Sequence, residues 1–153
     1  MPHIHEKIDF TAEVFIVYKN KILLRKHDKY HIWIGVGGHI ELHEDPIEAA
    51  IREVKEEVGL DIHIYQEYPI PKNYEGYTEL IPPQFLNRHR ISPTHEHISF
   101  VYFASSGSDR IIQPDREKAE WKWFDEKELD DPKYAINENI RIYARKALAV
   151  LRT

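Results

Sequence analysis

Residues Gly38 to Leu60 read GHIELHEDPIEAAIREVKEEVGL, and the spacing in this stretch predicts one helix with a charged face. Asp45 is a good N-cap, and Pro46 fits the first helical position, where a missing N–H costs nothing. Gly59 suits the left-handed residue that ends a helix. No other breaker lies between 46 and 58, so the helix runs about 20 Å at 1.5 Å per residue. Residues placed every 100° put Ile47, Ala50, Ile51, Val54 and Val58 on one stripe, expected to pack on a sheet. Glu53, Glu56 and Glu57 fall together on an adjacent stripe, at i, i+3 and i+4, with Ala49 on the same side, too small to crowd a ligand. Each close carboxylate pair costs about 1 kcal/mol in water and about 4 kcal/mol at a partly buried site. Arg52, at i+4 from Glu56, is the one cation within reach along the helix. Hard oxygen donors with so little compensation suit Mg²⁺ or Mn²⁺, with phosphate oxygens completing the octahedron.

Working outward, the 153 residues are expected to form one domain, 1–153, large enough for a good core. The net charge of −5 argues against a nucleic-acid or membrane footprint. No twenty-residue apolar run and no signal peptide is read, and the cytoplasm is the expected compartment. There are no cysteines, which excludes disulfides, thiolate metal sites and a cysteine nucleophile. Strands are expected over 10–18, 22–25, 33–36, 61–68, 97–105 and 120–124, with a turn of helix at 125–130 and a helix over 137–151. Between 69 and 96 the chain holds Pro69, Pro71, Pro82, Pro83 and Pro93 and little periodicity. A long functional or mobile loop is expected there. The order of elements supports an α/β or α+β sandwich.

Five residues separate Gly38 from Glu44, and seven separate Glu44 from Arg52-Glu53; Val54, Glu56-Glu57, Gly59 and Leu60 follow at fixed offsets. This pattern resembles the Nudix box of hydrolases that cleave nucleoside diphosphates linked to a moiety X. Trp33 and Gly37-Gly38 ahead of the box, and Trp121 to Leu129 near the end, extend the resemblance. One departure is Val36, where many members carry proline, which bears on loop rigidity. The resemblance implies an α/β class fold, the Nudix α/β/α sandwich, with a mixed β-sheet between the box helix and the C-terminal helix.

The resemblance further implies that Glu53, Glu56, Glu57 and the Gly38 carbonyl hold the metal, Mg²⁺ or Mn²⁺. Arg52 would orient a carboxylate through a bidentate pair. Glu44 is read either as an outer ligand or as a charge favoured at the helix N-terminus. The implied reaction is metal-assisted attack of water on a pyrophosphate, with Glu56 or Glu57 taking the proton. Glu117 and Glu120 are the second choice, because that loop approaches the site in relatives. His39 and Arg25 are candidates to meet phosphates. Tyr77, Phe85 and Arg88, in the long loop, are candidates to stack on a base or clamp phosphates. The other histidines, including His95 and His97 on one side of a strand, are read as surface residues, since no tetrahedral zinc set is visible.

The expected partner is a small nucleoside diphosphate derivative, with no nucleic acid, no membrane and a homodimer left open. Whether X is a sugar, a second nucleoside or further phosphates does not emerge. Rival readings are a non-catalytic nucleotide-binding or regulatory module on the same fold, an isomerase and an acidic metal-binding domain. The first commonly loses box carboxylates, and the isomerases use a cysteine that this chain lacks.

Overall fold

The structure is a computed structural model describing residues 5–114 and 119–153. Its centre is β1 (Ile8–Tyr18), whose residues alternate between two cores. Phe15 and Val17 point to one face, and Ala12, Val14 and Ile16 to the other, as the two-residue period of a strand requires. β1 runs antiparallel to β2 (Lys21–Lys26) and β4 (Val36–His39), and parallel to β7 (His95–Ser106). β3 (Trp33–Ile34) and β8 (Glu120–Phe124) extend β2, while β5 (Ile62–Ile64) and β6 (Phe85–Ser92) extend β7.

α1 (Pro46–Val58) packs over Ala12, Val14, Leu23 and Tyr102. α2 (Glu138–Val150) covers the other face, over Phe15, Leu24, Phe103 and Phe124. The result is the α/β/α sandwich with a mixed sheet. Among the described residues no helix is long and apolar enough to cross a membrane.

Several expectations need correction. α1 buries Ala49, Ala50, Glu53, Val54 and Val58, while Ile51 is 45% exposed. The inward stripe is therefore centred between the expected apolar and acidic faces, and Glu53 is drawn in against the sheet. In α2, Ile140, Tyr143, Ala144, Ala147 and Leu148 are buried, while Ile142 is half-exposed. The strand expected over 33–36 divides into β3 and β4, and Gly37 and Gly38 pair with Glu13 and Ala12 as part of β4. The strand after the helix is shorter than 61–68, ending at Ile64.

The largest difference lies in 69–96. Phe85–Ser92 forms β6, antiparallel to β7 through a tight turn, with register shifts around Arg90 and Ser92. Pairing with β7 overrides weak local periodicity, as tertiary contacts commonly do for strands. Phe85 therefore packs on Phe103 and Tyr143, with ring centroids 6.2 and 4.7 Å away, on the α2 face. Phe85→Ala should lower the unfolding free energy by about 2 kcal/mol, less than a fully buried phenylalanine because Phe85 is only half-buried. Denaturant titration measures this, and the KM for the best substrate should stay at the wild-type value. A raised KM at unchanged stability would return Phe85 to the substrate.

Candidate active site

Local chemistry fixes α1 at both ends. Asp45 Oδ1 accepts from the Glu48 amide at 2.9 Å, and Glu48 Oε1 accepts from the Asp45 amide at 3.1 Å, a reciprocal capping box. At the other end Gly59 sits at φ +69°, and its amide donates to the Lys55 carbonyl at 3.1 Å. With both ends pinned, the span of α1 is fixed.

Arg52 is the hub. Its Nε and Nη2 donate to Glu44, at 2.9 Å to Oε2 and 2.6 Å to Oε1. Nη1 donates to Glu53 Oε1 at 3.1 Å and to Glu56 Oε2 at 3.2 Å. Nη2 also donates to the His39 carbonyl at 3.1 Å. One planar guanidinium thus ties the loop carboxylate, two helix carboxylates and the strand that carries Gly38, a geometry that a lysine cannot reproduce. The hydrogen bond from Arg52 holds Glu44 below the usual carboxylate range, while Arg52 itself is pushed up, chiefly by Glu44. Glu53 goes the other way, because burial raises it more than Arg52 lowers it.

Glu53 is buried because Gly38 lets it in. A Cβ on Gly38 would stand 2.5 Å from Glu53 Oε1, so only glycine admits the carboxylate against the β4 backbone. Glu57 is half-buried and Glu56 exposed on the same helix. Three carboxylates at one helix edge, one of them pressed on a glycine backbone, fit a hard divalent cation with oxygen ligands.

Gly37 and Gly38 also line a cleft of about 490 Å³, shared with Arg25, Tyr30, His39 and Arg90. On its floor lies Glu13, whose Oε1 accepts from the Gly35 amide at 2.9 Å. Burial raises the Glu13 carboxyl, and the Gly35 hydrogen bond only partly offsets this. A raised carboxyl favours folding most below its unfolded value and loses that advantage as pH rises through its folded value. Glu13→Gln should therefore raise the melting temperature at neutral pH and match wild type below about pH 4, under the ordinary carboxylate range. Melts across that range check the sign; a constant difference would show that Glu13 ionises freely.

A family model described as NUDIX domain matches residues 10–146. The chain belongs to the Nudix hydrolase family. It is 38% identical to a NUDIX-family hydrolase of Clostridium perfringens, covering 94% of this chain and 98% of that one with a TM-score of 0.83. It is 29% identical over 129 residues to the m7GpppN-mRNA hydrolase NUDT17 of Xenopus laevis, a match to 77% of this chain and only 42% of that protein. The fold is also similar to that of a C. elegans Ap4A hydrolase, with a TM-score of 0.65 at 22% identity and coverage of 94% and 97%.

In this Nudix hydrolase Arg52 brings Glu44, Glu53 and Glu56 together, and the remoter candidates divide. Arg25 lines the cleft, with Nη2 3.7 Å from Asp28 and its guanidinium over Trp121 at 5.8 Å. His39 lines it too, and its Nε2 lies 3.4 Å from Asp9 Oδ2. Tyr77 stacks on Tyr74 in an exposed turn and donates to Glu79 at 2.8 Å. Arg88 is engaged by both oxygens of Glu96 at 2.8 Å. Neither Tyr77, Phe85 nor Arg88 lines the cleft. Glu120 starts β8 opposite Lys26, 3.9 Å from its Nζ, and is exposed. Glu117 lies outside the described residues.

Three features escaped the sequence reading. Glu13, a lone carboxylate in the run 10–18, was passed over. Arg90 was hidden in the supposed loop. The third corrects the view of the histidines: His95 and His97 meet Asp9, and the donor atoms of the three lie within 4.8 Å of one another. Burial among neighbouring histidines lowers His97 to about 4.

Proposed function

We propose that this Nudix hydrolase cleaves the pyrophosphate linkage of a nucleoside diphosphate joined to X, using Mg²⁺ or Mn²⁺ held by Glu53, Glu56, Glu57 and the Gly38 carbonyl. The observation that carries the reading is the Arg52 network, which arranges Glu44, Glu53 and Glu56 around a glycine wall shared with the cleft. A metal bound there would neutralise phosphate charge and acidify a water. Glu56 or Glu57 is the carboxylate that would accept the proton of the attacking water. Arg52 keeps the carboxylates oriented between turnovers. Arg25 and Arg90 give the cleft two cations for phosphate oxygens, and Tyr30 offers a ring for a base to stack on.

The relatives name a dinucleoside polyphosphate and a capped mRNA as substrates of those proteins, so the choice of X is open to direct assay. The test is a panel of dinucleoside polyphosphates, the m7GpppG dinucleotide, ADP-ribose, nucleotide sugars and nucleoside triphosphates, with Mg²⁺ or Mn²⁺. Products are identified by mass. Turnover of at least one class, abolished by EDTA, is expected; full activity in EDTA overturns the reading.

A further inference from the structure

We propose that Asp9, His95 and His97 bind a divalent transition metal of the zinc type, at a second site built from residues outside the box helix. Parallel pairing of β1 with β7 sets Asp9 opposite His97, with His95 two residues before it. Asp9 is 1% exposed and His95 5% exposed, so a carboxylate and an imidazole share a buried position.

Their hydrogen bonds define the chemistry. His95 Nδ1 lies 3.2 Å from the Glu6 carbonyl oxygen. A carbonyl only accepts, so Nδ1 carries the hydrogen. In a neutral imidazole Nε2 then bears the lone pair, and Nε2 stands 3.2 Å from Asp9 Oδ2. Two acceptors face each other at that distance only with a cation between them, either a proton that makes His95 an imidazolium or a metal ion. A metal serves the whole cluster, in which the His97 ring centroid is 5.3 Å from that of His95 and 4.9 Å from that of His39.

The Asp9–His95 spacing matches one edge of a zinc tetrahedron, and the three donor atoms all lie within 4.8 Å of one another. Ligands 2.0–2.1 Å from a tetrahedral zinc are separated by about 3.3–3.4 Å along each edge. His95 Nε2 and His39 Nε2 lie 3.2 and 3.4 Å from the same Asp9 oxygen. The outer contacts are those that orient ligands in metal sites: a backbone carbonyl on His95 Nδ1, and the His5 amide donating to Asp9 Oδ1 at 2.7 Å. One carboxylate and two imidazoles suit Zn²⁺ better than Mg²⁺, which prefers oxygen. His97 is half-buried and lines the cleft, which gives an ion a way in. His39 borders the fourth position and is the chain neighbour of Gly38, so the second ion would brace β1, β4 and β7 beside the box.

The test uses the full chain, stripped with chelator, kept in excess Mg²⁺ and titrated with Co²⁺ as a spectroscopic stand-in. One equivalent with the intense visible absorption of four-coordinate Co²⁺, displaced by Zn²⁺ and retained in Glu53→Gln, is expected. His97→Ala should weaken binding at least a hundredfold while keeping the wild-type far-UV circular dichroism. Weak octahedral absorption alone, or binding lost in Glu53→Gln and kept in His97→Ala, overturns the site and leaves a proton shared by His95 and Asp9. Anomalous scattering at the zinc edge from wild-type crystals grown with Zn²⁺ decides independently of any variant: a peak at Asp9 supports the site, and its absence there refutes it.

Discussion

Glu57→Gln should lower turnover on the best substrate at least a hundredfold, and Glu56→Gln should fall on the same scale. A hundredfold corresponds to about 2.7 kcal/mol of transition-state stabilisation, the range for losing a positioned base or ligand. The two roles separate by readout. Loss of the base flattens the acid limb of the pH–rate profile at saturating Mg²⁺. Loss of a ligand raises the Mg²⁺ concentration needed for half-maximal rate and leaves the profile in place. Steady-state kinetics of both variants over pH and Mg²⁺ makes the assignment, and wild-type turnover in both would remove the helix edge from the chemistry. Glu56 enters this comparison already bonded to Arg52 and exposed, whereas Glu57 is half-buried.

Arg52→Ala should destabilise the metal-free protein. Breaking a buried ion pair by removing one partner costs about 3–5 kcal/mol. The guanidinium retains some exposure, so about 2 kcal/mol is expected after discounting for solvent. That corresponds to a fall of roughly 4–8 °C in melting temperature for a domain this size. The carboxylates would then repel without compensation, so Mg²⁺ should raise the melt of the variant by more than it raises wild type. For wild type the rise is about 1.4 kcal/mol at ten times Kd. Glu44, held low by Arg52, supplies stability above its unfolded value that disappears as pH falls. The gap between variant and wild type should therefore narrow in acid. Arg52→Lys keeps the charge without the fork and should fall between the two. Melts in EDTA and in Mg²⁺ test all of this; equal metal-free melts would mean that the Arg52 pairs are weak surface contacts.

Much of this was legible because it is local. Caps, a left-handed glycine and carboxylates at i, i+3 and i+4 depend on neighbours within a few residues, and they placed α1 and its acidic edge. The full reach of Arg52 was not legible, since its strongest partner, Glu44, lies in the loop and meets it only once that loop folds over the first turn. Nor was the inward rotation of Glu53, which depends on β4 presenting a bare backbone at Gly38. β6 was hidden because its edge position leaves many of its side chains exposed, so its sequence lacks the apolar alternation that marks a half-buried strand. The approach of Asp9 to His95 and His97 arises from strand pairing across the chain, to which no local pattern responds.

The pairing of β1 with β7 has a bearing on how the molecule is made. From Ile8 with Glu96 to Val17 with Ser105 the two strands run parallel, side by side. Roughly ninety residues of chain separate these partners, a closure that slows folding because its entropy is lost before the contacts form. During synthesis β1 is followed closely by β2 and β4, which pair along one of its edges. Its other edge stays open until β7 has left the ribosome, the kind of exposed strand edge that other chains can pair with. The centre of the sheet is thus made well before the strand that encloses it.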